Sequence, residues 1–463
     1  MLRYEDNPEL FEILYYNLYG EGAQIKTTQL TKFELMDIKS LDISIYKHKL
    51  KSLKGIENLI NLESLNISGC EKEDYIRNVY LAEKYLKKYD NKNEDKIIDA
   101  LRTIYNANQI IDITPLYKLN KLKKLDLSYQ RNIKSIDLQY FPNLTSLNMR
   151  GCKNLEIVNN IDCLNKIYDN NITNCFYDFS SCTMLNRVNG LEKMCKLLSQ
   201  RDKQNAKPIL YFPTVTYCYL KVRNEQIEES FFDIKEFVRW TEFLDGAAFV
   251  KNTTKQMFLA YNKSLNIIRT ISKNVKSQLQ QVLQIYKWIL KNIRYDKEGA
   301  KVINEQTVKE IKDSIKDQNS VTNKTRSSYV ALFENKAVCV GISNLFNFMC
   351  ATVGYLSEPI FCDYKKDNVK TEMIYPGHQI SAIKQGNDTY YLDPTCDLGK
   401  YIPQKFMLNL DEIQNIYALD MFSYPTDSAN GPSIQKLVKD LSIKFNEIEK
   451  NSNSSKNEQT LNL

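Results

Sequence analysis

The sequence predicts an α+β chain in two parts, a stack of short strands in its N-terminal half and a mixed helix-and-strand domain in its C-terminal half. Three observations predict this. Leucines recur in an L-x-x-L-x-L pattern before residue 172, the hydrophobic period turns helical after residue 247, and two alternating strands occur near residues 378 and 389.

Leu62-Glu63-Ser64-Leu65-Asn66-Ile67-Ser68-Gly69-Cys70, Leu122-Lys123-Lys124-Leu125-Asp126-Leu127-Ser128 and Leu144-Thr145-Ser146-Leu147-Asn148-Met149-Arg150-Gly151-Cys152 fit one template. Leu125 and Leu147 are 22 positions apart, within the leucine-rich-repeat period. Each such unit sets a short strand beside the next and buries its leucines against it, which no single unit can do alone. Leu41 to Ser44 with Leu53 to Ile60 suggest an earlier unit, and Leu155 to Ile172 a decaying last one. Ile111-Asp112-Ile113-Thr114-Pro115-Leu116 resembles the bacterial internalin style of repeat. Residues 1–190 are therefore expected to form a leucine-rich-repeat solenoid. Helical spacing of Tyr75, Val79, Ala82 and Leu86, then of Ile97, Leu101 and Ile104, predicts a helical insert at about 71–108.

Residues 191–246 read as a connector or as an N-terminal lobe of a catalytic domain that is expected over 247–440. Leu210 to Val222 alternates like a strand, and Ile234 to Leu244 is spaced like a helix. Within the catalytic domain, the polar stretch Lys301 to Arg326 predicts an exposed helix or insert. The Asn-, Ser- and Lys-rich stretch 441–463 predicts a disordered tail.

The chemistry lies at Cys339. Ile342, Leu345, Phe346 and Met349 recur at helical spacing after it, so Cys339 sits at a helix start, where unpaired N–H groups and the macrodipole favour a thiolate and can hold an oxyanion. Gly354 is placed to close that helix. Glu358 to Tyr364, His378 to Ile383 and Thr389 to Asp393 read as strands, the last two joined by a turn at Gln385-Gly386-Asn387-Asp388. A two-residue loop at Gln385-Gly386 sets His378 directly opposite Asp393, and a longer loop sets them diagonally. Nucleophile, base and orienting carboxylate thus come in order as Cys339, His378 and Asp393.

On these residues the chain resembles the transglutaminase-like family of papain-fold cysteine enzymes. The resemblance runs over Gln280 to Ile289 with Asn292-Ile293-Arg294-Tyr295-Asp296, Ala337 to Ile342, Gly377-His378, and Tyr391-Leu392-Asp393-Pro394-Thr395-Cys396-Asp397. It implies catalysis by Cys339 as nucleophile, His378 as general base then acid, and Asp393 as orienter. Two departures stand out: Gln379-Ile380 come after the histidine where the family commonly has a small residue and an aromatic, and no Trp or Gln stands just before Cys339 as the family's oxyanion donor. Tyr329 is the nearest substitute there, and it is assigned no role.

A net charge of +7, with lysines interspersed among acids, gives no nucleic-acid footprint. No apolar leader or 18-residue apolar run is visible, so a cytoplasmic protein with no membrane contact is expected; export without a cleavable signal also fits. Eleven cysteines without CxxC pairs predict reduced thiols, no zinc and no cofactor. The repeats are expected to bind a protein partner. The triad suits acyl transfer to an amine, peptide hydrolysis or deamidation alike, and a non-catalytic interaction protein is the reading from another class.

Overall fold

The computed structural model describes residues 1–44, 50, 52–69, 110–164, 175–180, 182–199, 209–222, 232–239, 247–252, 254–273, 275, 277–305, 317, 320–364, 378–419 and 429–460. The expected insert at 71–108, Cys70 and Gly377 lie outside the described residues. The chain is a mixed α+β structure with two compact units, one comprising Met1–Phe237 with 243–247 and 251–255, the other Val238–Glu242, 248–250 and Gln256–Leu463. Among the described residues, no helix is long and apolar enough to cross a membrane.

In the first unit the template leucines fall into one register. The strands Ser40–Asp42, Ser64–Asn66, Lys124–Asp126, Ser146–Asn148, Phe176–Asp178 and Ile209–Pro213 pair in parallel, stacking Leu41, Leu65, Leu125, Leu147, Tyr177 and Leu210 as one buried column. The residue that ends each of the first five strands is Asp or Asn, and its side-chain oxygen accepts the backbone N–H two residues on. Ser44, Ser68, Ser128, Arg150 and Ser180 donate to Asp42, Asn66, Asp126, Asn148 and Asp178 at 2.7–3.1 Å. These Asx turns stop each strand after three residues and turn the chain toward the next strand. Cys152 donates its S–H to Leu127 O at 3.1 Å, which explains a buried cysteine at that template position. Leu147 has no exposed surface, so Leu147→Ala is expected to cost about 2–5 kcal/mol in urea unfolding. Ile111, 75% exposed, is expected to change stability by less than about 0.5 kcal/mol when truncated.

Four local expectations are corrected. After the strand Ile209–Pro213, residues Thr214–Val222 form a helix, not a strand. Burial of Tyr217, Cys218, Tyr219 and Leu220 and a bond from Thr216 Oγ1 to Leu185 O at 2.8 Å override the β-branched and aromatic composition. Of Ile234 to Leu244, read as helical, the described part to Arg239 belongs to the strand Phe232–Arg239, paired in parallel with Ile209–Pro213, so this part of the expected connector extends the ladder. Of the polar stretch 301–326, the helix Lys297–Glu305 is succeeded by buried Thr322, Asn323, Thr325 and Arg326 instead of a wholly exposed segment. Residues 441–460 continue the helix Gln435–Thr460, where Val438, Ser442 and Asn446 recur every four positions on one buried face and Asn446 Nδ2 donates to Tyr401 O at 3.3 Å. That stripe is diluted by polar neighbours, hence the reading of disorder.

The second unit holds a five-stranded sheet in the order Tyr417–Leu419, Ser357–Tyr364, His378–Gln385, Asp388–Leu392 and Ala429–Asn430. The helix Cys339–Thr352 packs on its two longest strands and against the helix Gln278–Asn292. Arg294–Tyr295 and Lys336–Ala337 form a short parallel pair that leads the chain into Cys339.

Candidate active site

Cys339 is the first residue of its helix. Val338 precedes it in extended conformation with no side-chain cap, so the first-turn N–H groups keep their donor capacity. At the other end Gly354, at φ +84°, sends its N–H to Ala351 O (2.9 Å) while Tyr355 N–H reaches Cys350 O (3.0 Å), a Schellman closure. Every residue from Val340 to Thr352 is buried, so the helix runs through the interior instead of lying on it along one face.

His378 opens the strand His378–Gln385, and Asp393 comes directly after Asp388–Leu392. The register is two positions from the direct pairing. Gln385 pairs with Asp388 across a loop of Gly386-Asn387, with Gly386 at φ +65°, the first loop position at which a type II′ turn takes glycine. His378 therefore meets Asp393 diagonally. A shift of two keeps both side chains on one face, and Nε2 of His378 lies 2.8 Å from Oδ2 of Asp393.

A buried polar network fixes the Cys339 helix to the His378 strand. Ser343 Oγ donates to Ile380 O at 2.8 Å and lies 2.9 Å from Ser381 Oγ. The side-chain amide of Gln379 donates to Asn344 Oδ1 at 2.9 Å and to Ser343 Oγ at 3.2 Å. Gln379, the first departure from the family pattern, is thus the strand's anchor on the helix.

The sulfur of Cys339 hydrogen-bonds the imidazole of His378 and receives the backbone N–H of Gln379. Burial opposes ionisation of this thiol, but the hydrogen bond and charge of His378 outweigh it and hold its pKa below the ordinary cysteine value. Burial likewise opposes the imidazolium, yet its bonds to Asp393, Cys339 and Cys396 hold the pKa of His378 well above the usual value. Asp393, with no exposed surface, resists burial's upward push through His378, Cys396 and Tyr417, and its pKa is lowered. The three shifts together favour a thiolate–imidazolium pair braced by a carboxylate. Elsewhere burial raises the thiols of Cys152, Cys182 and Cys350, which marks Cys339 apart from these structural cysteines.

The sequence assigns no role to two further contributors: Tyr417, which lies in no motif, and Cys396, which lies in the motif that carries Asp393. Tyr417, 24 positions downstream of Asp393, donates its O–H to Asp393 Oδ2. Cys396 donates its N–H to Asp393 Oδ1 at 3.1 Å and bonds His378 through its side chain. Asp397, in the same motif, accepts from Tyr286 O–H (2.9 Å) and from the N–H groups of Gln404 (2.8 Å) and Lys405 (2.6 Å), so it fixes the loop below the site. Among the described residues, His378, Asp393 and Cys396 bring donor atoms within 4.8 Å of one another, a spacing compatible with a metal ion. Here Asp393 Oδ2 bonds both His378 Nε2 and Tyr417, the pattern of a hydrogen-bonded relay. The Tyr329 ring lies tilted against Phe333, with centroids 4.6 Å apart and planes 34° from parallel.

No family model matches the chain. No match is found among curated proteins. Among solved structures the chain is similar to a candidate cysteine protease from Cytophaga hutchinsonii, at 14% identity over 34% of this chain and 41% of that one, with a TM-score of 0.21. It is also similar to a TGase, at 14% identity over 31% of this chain and 33% of that one, with a TM-score of 0.24. An internalin from Listeria monocytogenes aligns at 18% identity over 48% of this chain and 56% of that one, with a TM-score of 0.22. The chain spans less than two thirds of each. Similarity this weak leaves the chemistry to be read from the site's own atoms.

Proposed function

We propose that the chain is a transglutaminase-like cysteine enzyme of the papain-fold kind, working on protein amide groups through Cys339, His378 and Asp393. The observation that carries this reading is the unbroken hydrogen-bond chain from the Cys339 sulfur through His378 to Asp393, with the thiol's pKa drawn down and the imidazole's drawn up. The Cys339 thiolate attacks the amide carbonyl, and N–H groups of the first helical turn receive the developing oxyanion. The His378 imidazolium gives its proton to the departing nitrogen as the C–N bond breaks, leaving a thioester on Cys339. His378, now neutral, takes a proton from the acceptor as its lone pair attacks, and the thiolate leaves. With an amine as acceptor the reaction is transfer; with water it is peptide hydrolysis or deamidation.

The leucine-rich-repeat reading of the first unit supports recognition of a protein partner, because its strands repeat one template in one register. On the same reading the repeats cover 1–190 and the catalytic domain 247–440, while 191–246, expected as a connector or N-terminal lobe, adds the strands Ile209–Pro213 and Phe232–Arg239 to the ladder.

The test is mass spectrometry of a proteome incubated with a labelled primary amine and either wild-type or Cys339→Ala protein. Label on glutamine identifies transfer, new chain termini identify proteolysis, and a roughly 1 Da gain at glutamine identifies deamidation, each a fate of one thioester. Identical spectra for the two proteins, with no excess reactivity of Cys339 toward iodoacetamide near neutral pH, would leave the non-catalytic interaction protein as the surviving reading.

A further inference from the structure

Between the helices Val321–Lys324 and Ser328–Glu334 the chain passes against the first turn of the helix that carries Cys339. Val338 N–H donates to Thr325 O at 2.9 Å. A Cβ placed on Gly341 would lie 2.8 Å from Thr325 O and 3.2 Å from the carbonyl carbon of Arg326, so only glycine lets these backbones approach this closely. Arg326 is 6% exposed, and among the described residues its Nε and Nη1 have no hydrogen-bond partner. Its charge interacts with Cys339, and burial pushes its pKa down to about 10, which leaves it protonated at neutral pH. Removing a guanidinium from water without a counter-ion is costly. A buried guanidinium whose Nε and Nη1 find no acceptor among the described residues, next to the proposed nucleophile, is accounted for when the substrate brings an anionic acceptor.

We propose that Arg326 and the first turn of the Cys339 helix form a carboxylate-binding subsite, so that the acyl donor carries an anionic group beside the carbonyl that Cys339 attacks. The inference rests on Cys339 being the nucleophile and adds the chemical class of its substrate. A planar guanidinium pairs with a carboxylate through two parallel N–H bonds, which orients the donor as well as attracting it.

Two alkylating reagents of similar shape test this on the full chain without knowledge of the substrate. In each, a bond forms between the Cys339 thiolate and the reagent's methylene carbon as the C–I bond breaks and iodide leaves; iodoacetate is the carboxylate and iodoacetamide its neutral counterpart. Rates are read at the Cys339 peptide by mass spectrometry. The His378 imidazolium also attracts iodoacetate, so the decisive comparison is with Arg326→Met, which replaces the buried charge with an apolar side chain of similar length. Arg326→Met is expected to slow iodoacetate about tenfold while leaving iodoacetamide within about twofold. Arg326→Gln serves as the second variant should the Met protein not melt like wild type. An unchanged ratio of the two rates overturns the proposal. So does an equal fall in both, which would assign Arg326 to stabilising the thiolate. If wild-type Cys339 is no more reactive toward iodoacetamide than Cys163, also partly exposed, the nucleophile assignment itself fails, an outcome separate from loss of the charge preference.

Discussion

Cys339→Ser is expected to lower turnover by about 10⁶-fold, the scale of losing a nucleophile whose partners act only through it. Oxygen replaces sulfur with little change of shape, so the exchange tests chemistry and not packing. A serine hydroxyl is not ionised by a base poised for a thiol, and His378 held as imidazolium has no capacity to take the hydroxyl proton. Single-turnover release of an amide leaving group measures the loss, with thermal melting as the control for folding. Retention of a tenth of the wild-type rate would exclude Cys339 as the attacking group.

Asp393→Asn is expected to lower turnover by about 10⁴-fold and to move its pH dependence. The carboxylate is the first of the groups that raise the imidazole's pKa against burial. Remove it and burial prevails, so the imidazolium is lost at a lower pH than in the wild type. The sign is definite: the high-pH limb of the rate profile moves down. The low-pH limb moves up, because a neutral imidazole no longer holds the Cys339 thiol below its ordinary value. Both limbs are read from kcat/KM, with iodoacetamide alkylation of Cys339 reporting the thiol independently. A profile that falls in height without either limb moving would assign Asp393 to packing alone.

How much was legible in the sequence depended on how local the cause was. The Cys339 helix was, since Cys339 to Gly354 carries its start, period and stop within 16 positions, and the Schellman closure forms where glycine marks it. The hairpin was legible except for its register. The turn signal spanned four residues, and the loop uses Gly386-Asn387 instead of the pair one position earlier, which moves the pairing by two while leaving both side chains on one face. Tyr417 was not legible, because the strand Tyr417–Leu419 reaches the site only by pairing with Ser357–Tyr364. Arg326 was hidden in a charged stretch whose composition predicts exposure. Its burial comes from a backbone approach at Gly341 that no periodicity reports. The helix Thr214–Val222 failed for the opposite reason, a strand-like composition overruled by tertiary packing.

Position along the chain sets the order in which the site's groups leave the ribosome. Cys339 emerges first, His378 and Asp393 later, and the Tyr417–Leu419 strand that braces them later still. Until those segments dock, the thiol lacks the imidazole that lowers its pKa and stays an ordinary, mostly protonated cysteine. On the proposed reading, a nascent chain therefore carries no armed nucleophile past the crowded amines and amides of the translation machinery. Reactivity switches on only as the domain completes itself.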